Sequence, residues 1–137
     1  MYNEFLKDGF ICSEGDLIAL CNKWKRKLGL DAWDIRVSIV KSKCMEKEDS
    51  SGTNTFSLAK RCSIIHIIDP EDYPDDIPFE YDMEVTLVHE LLHIPLKYFS
   101  EPPENTLEEF ELEAFIDHQA KLLVSLSRKI DKLMEVN

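Results

Sequence analysis

The chain has no apolar run of the roughly 18–20 residues that a bilayer-spanning helix requires, so no membrane partner is expected. Its opening residues, MYNEFLKDGFIC, lack the basic segment followed by an apolar one that marks a secretion signal. The compartment expected on that basis is the cytoplasm. Basic residues are in short supply: 16 Lys and Arg stand against 27 Asp and Glu, for a formal net charge of −11. Phosphate recognition needs clustered cations, so a nucleic-acid partner is not expected either. Cys12, Cys21, Cys44 and Cys62 include no CxxC pair, which argues against a zinc ribbon. They read as reduced thiols, mostly small core residues. There are no repeats and no low-complexity linker, and histidine is rare, with four in the chain.

What is present is enough for one domain over residues 1–137, with 44% hydrophobic residues to build a single core. Residues 13–28 predict a helix. Ser13 can cap it, Glu14 and Asp16 open it, Lys25, Arg26 and Lys27 close it, and Gly29 can terminate it. Residues 31–40, DAWDIRVSIV, alternate as a strand, with Trp33, Ile35, Val37 and Ile39 on one side. Residues 41–52 read as a polar connection, Thr53–Ala59 as a second strand, and SIIHII at 63–68 as a third, apolar on both faces. Three prolines between 69 and 78 exclude regular structure there. A helix is expected from about Phe79 to about Leu96, kinked or ended by Pro95. Another is expected from the capping box at Thr106–Glu109 to about Val136. The fold class is α+β: a small mixed sheet of about three strands, expected to be mainly antiparallel, packed on an N-terminal helix, the 79–96 helix and a long C-terminal helix.

Residues 89–93 read His-Glu-Leu-Leu-His. Positions i and i+4 of a helix share a face one turn apart, so two imidazoles there can reach one metal ion at about 2.0–2.1 Å. Glu90, one step round, can reach a water on that ion without displacing it. The five-residue pattern also arises by chance. Against that reading, Val85, Leu87, Val88, Leu91, Leu92 and Leu96 wrap the helix in apolar side chains, and buried histidines need partners.

Two histidines hold a catalytic metal only with a third protein ligand. Glu113 and Asp117 stand one turn apart on the last helix, in the sector of Phe110, Ile116, Ala120 and Val124. Carboxylates on an apolar side are costly unless paired or on a metal. An ion pair with Arg36 or Lys97 is the ordinary alternative.

His-Glu-x-x-His followed by Glu-Ala-x-x-Asp resembles the gluzincins, the thermolysin-like zinc peptidases, which have the same interval from His93 to Glu113. The resemblance implies a zinc cofactor on His89, His93 and Glu113, with Asp117 hydrogen-bonded to His89 behind it. It implies a minimal zincin-like domain, similar to the ImmA/IrrE-like and phage-encoded metallopeptidases, over roughly residues 31–126. Only 89–93 and 113–117 carry it specifically, and Pro95 departs from it. The implied activity is peptide-bond hydrolysis with Glu90 as general base. The implied substrate is an intracellular protein or peptide, by analogy a transcriptional regulator. In zincins a strand beside the metal helix often pairs with extended substrate. Ser63–Ile68 is the expected edge strand here, with Ile65, His66 and Ile67 against the substrate. His118 reads as a surface residue, and Tyr73, Tyr81 and Tyr98 are open candidates for an oxyanion donor. The alternatives are a catalytically silent zincin-fold module that binds a protein, a DNA-linked metalloprotease of the SprT kind, which the acidic charge disfavours, or a structural helix pair with no metal.

Overall fold

The computed structural model of the chain describes residues 2–47, 50–97 and 102–135. The fold is α+β, in the order α1 (Glu14–Lys27), β1 (Asp34–Val40), β2 (Gly52–Ser57), β3 (Cys62–Ile68), α2 (Met83–Leu96) and α3 (Leu107–Glu135). Short 3-10 turns at Tyr2–Phe5, Ser42–Cys44 and Pro70–Asp72 punctuate the connections. Among the described residues no helix is long and apolar enough to cross a membrane.

The helix signals act locally. The Ser13 side chain accepts a hydrogen bond from the Asp16 amide at 3.2 Å, and Gly29 takes φ 72 just beyond the helix end. α2 begins at Met83 rather than near Phe79, because the Asp82 carboxylate caps it by accepting from the Val85 amide at 3.1 Å. Pro95 lies in its last turn, and the helix stops one residue later. Thr106 Oγ1 accepts from the Glu109 amide at 3.2 Å, and the Glu109 carboxylate accepts from the Asn105 amide at 3.3 Å, which starts α3. The expected end near Val136 lies outside the described residues.

The sheet order is β1-β3-β2, with β3 parallel to β1 and antiparallel to β2. This corrects the expectation that Ser63–Ile68 is an edge. The strand is central, and ladders run along both of its sides, from Asp34↔Cys62 to Val40↔Ile68 and from Gly52↔Ile67 to Ser57↔Cys62. Nor is the sheet mainly antiparallel, since the segment through β2 serves as the crossover that parallel pairing of β1 and β3 requires. Ile65 and Ile67, on the face toward the helices, are fully buried, whereas Ile64 on the other face is half exposed.

The core between the sheet and the helices is built from Leu17, Trp24, Ile65, Ile67, Met83, Leu87, Leu91, Ile116 and Val124. All four cysteines are free thiols; Cys21 is buried, Cys12 and Cys62 are half-buried, and Cys44 is exposed rather than in the core.

One polar node sits within this packing. Arg128 of α3 donates to both Asp82 carboxylate oxygens, at 2.8 and 3.0 Å, to Glu84 at 3.0 Å and to the Phe5 carbonyl at 2.9 Å. Glu84 also accepts from the Trp24 indole at 2.8 Å, so α1, α2, α3 and the N-terminal turn meet at one guanidinium. Asp82 and Glu84 are almost wholly buried, so removing the cation would leave two carboxylates there uncompensated. Arg128→Met is expected to cost about 3–5 kcal/mol in urea unfolding, and adding Glu84→Gln should recover part of it. An unchanged unfolding midpoint in Arg128→Met would contradict the role given to this node.

Candidate metal centre

α2 carries His89 and His93 one turn apart, ring centroids 5.3 Å from each other, on the side that meets α3. Because Arg128 reaches the start of α2 while Glu113 reaches its end, the two helices run antiparallel. Glu113 Oε2 lies 2.8 Å from His89 Nε2, and its Oε1 lies 3.0 Å from His93 Nε2. Asp117 Oδ1 stands 3.8 Å from His89 Nδ1, within ion-pair range, and Asp117 is in turn held by Lys121 at 2.8 Å, one turn along α3.

His89, His93 and Glu113 could hold a metal ion: one ligand atom from each lies within 4.8 Å of the others. Four donors around zinc at about 2.0–2.1 Å stand roughly 3.3 Å apart, so the observed spacing needs only a small opening. Two imidazoles and one carboxylate are a donor set that leaves a fourth position for water or substrate.

The environment differs from the sequence expectation in one respect. The Glu113 and Asp117 side chains are nearly half exposed, and Phe110 faces solvent, so this end of α3 borders a cleft rather than the core. The cleft encloses about 850 Å³ between β2, α2 and the start of α3, and both carboxylates and both histidines line it. Arg36 is not the partner of these carboxylates; it bonds Asp34 on the exposed side of the sheet.

Burial works against a charge on His89, but the Asp117 and Glu113 carboxylates and the nearby Glu90 outweigh it and push the imidazole up to about 9. Its hydrogen bond and that of His93 hold the Glu113 carboxyl well below the usual range, against the effect of burial. Glu90 is almost wholly buried, and burial pushes its carboxyl up, although His89 and His93 oppose that.

Gly52 and Asn54 of β2 went unnoticed in the sequence. A Cβ on Gly52 would lie 2.8 Å from Thr86 Cγ2 and 3.2 Å from Glu90 Oε2, so only glycine lets β2 pass this close to the Glu90 carboxylate. Asn54 Nδ2 donates to the Glu90 carbonyl at 2.7 Å, and its own oxygen accepts from the Ser63 hydroxyl. No local signal marks either residue, because both act on a distant helix. Lys121 was detectable from its spacing to Asp117.

Ile65 and Ile67 are sealed in the core, His66 pairs with Glu46, and none of the three lines the cleft, so β3 does not present them to substrate as an edge strand. His118 is exposed. The Tyr81 hydroxyl donates to the Ile68 carbonyl at 2.8 Å and Tyr73 stacks on that ring, so neither lines the cleft. Tyr98 lies outside the described residues. Comparison of the chain with protein-family models, curated proteins and solved structures finds no match.

Two measurements follow from this geometry. The raised His89 contributes stability that is complete below about pH 6.5 and is lost as pH climbs through about 9. The depressed Glu113 contributes stability that is present above 4.5 and lost as pH falls below it. Thermal unfolding in chelator should therefore show falling stability from about pH 6.5 to 9, and His89→Ala should remove that slope. Gly52→Ala forces a methyl against Thr86 and Glu90, and should cost about 1–3 kcal/mol by overpacking, measured by urea unfolding. A neutral result would mean that β2 can retreat from α2.

Proposed function

We propose that the chain is a zinc-dependent metallopeptidase of the gluzincin type, with His89, His93 and Glu113 as ligands and Glu90 as general base. The observation that carries this reading is the meeting of one carboxylate with two imidazole Nε2 atoms, at 2.8 and 3.0 Å, in the wall of a cleft. Zinc on that donor set supplies Lewis acidity, which acidifies water and polarises a scissile carbonyl.

The rest is done by the chain. Glu90 takes the water's proton and passes it to the leaving amine; burial keeps its carboxyl raised, which suits a group that must both accept and release a proton. Asp117 stands behind His89 Nδ1, where its carboxylate favours a proton on that nitrogen and leaves Nε2, which faces Glu113 and the cleft, as the atom that would hold a metal. Asn54 and Gly52 hold β2 against the middle of α2. The outer edge of β2, not β3, is then the strand able to pair with an extended peptide, since residues 52–56 line the same cleft. The substrate is an intracellular protein, by resemblance a transcriptional repressor or another regulator carried by a mobile element.

The alternative is a zincin-fold module that docks a protein and cleaves nothing. Such a module has no use for a buried carboxylate beside the histidines. One set of variants separates the two readings. The protein purified without chelator should carry about one zinc per chain, as expected for three protein ligands. Glu113→Ala should lose zinc; Asp117→Asn should weaken zinc affinity by about 10–100-fold. Glu90→Gln should keep the zinc and the fold but abolish hydrolysis, because an amide cannot accept the proton. Retained zinc with undiminished biological function in Glu90→Gln would favour the docking module, and absence of any transition metal from the native protein would remove the peptidase reading.

A further inference from the structure

We propose that the chain forms a two-fold symmetric dimer in which α3 pairs antiparallel with α3 of a second copy, through an exposed apolar stripe flanked by charges of opposite sign at its two ends. This inference is independent of the metal centre.

α3 buries one face, Ile116, Ala120 and Val124, against its own chain. A second apolar row runs beside it. Phe115, Leu122, Leu126 and Ile130 fall within about 80° of one another around the helix. Phe115 is 51% exposed, Leu126 46% and Ile130 54%, and Met134 extends the row at 70%. Isolated exposed apolar residues need no explanation, but a row along several turns of one helix is the pattern of a helix seam.

The charges around the row say what kind of helix fits it. Glu111 flanks the row near the start of α3 and Lys129 flanks it near the end, whereas Glu113, Asp117 and Arg128 are turned to α2, and Asp131 and Glu135, also in the second half, lie on the side away from the row. A parallel second copy would set acid against acid. An antiparallel copy sets the acidic end against the basic end. Glu111 and Lys129 stand about five turns apart, hence at the same angle on the helix, and both are exposed. In an antiparallel pair, residues on the same flank of the two helices meet. A two-fold axis level with Ala120 therefore brings Glu111 against Lys129 of the second copy, and the same axis brings Glu108 to the level of its Lys132. Symmetry repeats the Glu111–Lys129 contact. The axis also sets Phe115 beside Leu126 of the second copy, so apolar and charged registers agree.

The test is sedimentation velocity of the full chain over a range of concentrations, with circular dichroism to check each variant's fold. The wild-type chain should dimerise reversibly. Leu126→Asp should leave it monomeric. Glu111→Lys alone and Lys129→Glu alone should each weaken the dimer by about tenfold, since each breaks two symmetric pairs and sets like charges together. The double variant Glu111→Lys, Lys129→Glu should dimerise again, and mixing the two single variants should give a heterodimer. A wild-type chain that stays monomeric at the highest concentration it tolerates would overturn the proposal. A dimer that survives Leu126→Asp would overturn the seam, and one insensitive to both charge reversals would overturn the antiparallel register.

Discussion

Arg128 holds α3 against the first turn of α2 by bonding Asp82 through both nitrogens and Glu84 through one, and the position of Glu113 follows from that contact. The two helices are antiparallel rods. Once they are tied at one end, the residue of α3 that reaches His89 and His93 is set by helix length. A slip of one turn would carry Glu113 about 5.4 Å along the axis, beyond reach of both imidazoles. Ile116, Ala120 and Val124, fully buried between the two ends, oppose such a slip because their side chains would have to repack. The guanidinium also has a geometric advantage over an ammonium, since its planar fork satisfies a carboxylate with two parallel bonds and still reaches Glu84.

The remaining polar groups on α2 have one direction open to them. Leu87, Val88, Leu91 and Ile94 occupy the buried sides of the helix, which leaves His89, Glu90 and His93 toward the cleft. His89 is the more buried of the two histidines, which works against its charge, and the two carboxylates on either side of it overcome that and raise its pKa. Glu113 and Asp117 remain partly hydrated, so their cost is smaller than full burial would impose, and Lys121 offsets part of the charge on Asp117. A donor set that is half buried in this way is accessible to an ion from solvent and still held by fixed backbone on two helices.

The sheet contributes distance control. β3 is central, and its neighbours pair along nearly its whole length. This leaves β2 outside, on the α2 side, where Gly52 permits close approach and Asn54 bonds the Glu90 carbonyl. A wider side chain at position 52 would move the strand away from Glu90 and widen the cleft at its floor.

Helix caps, the alternation of β1, the continuous apolar run of β3 and the His89–His93 spacing are local patterns, and the sequence by itself determined them: Ser13, Thr106 and Gly29 act within a few residues of where they stand. It also determined that Glu113 and Asp117 share a face of one helix. It was silent on strand order, because hydrophobic patterning says which faces are buried but not which strands are neighbours. That silence is why β3 read as an edge when it lies between the other two strands. Likewise, Phe110 shares its helical sector with buried residues and yet faces water, since α3 extends past the core there. The start of α2 depended on whether Asp82 or an earlier residue became the cap, and Arg128 of α3 is bound to that same carboxylate. Only the tertiary structure decided that Gly52 and Asn54 face Glu90, that Arg128 sets the helix register and that the Glu113 carboxylate meets both imidazoles, because each of these contacts joins residues whose separation is closed by packing rather than by any local rule.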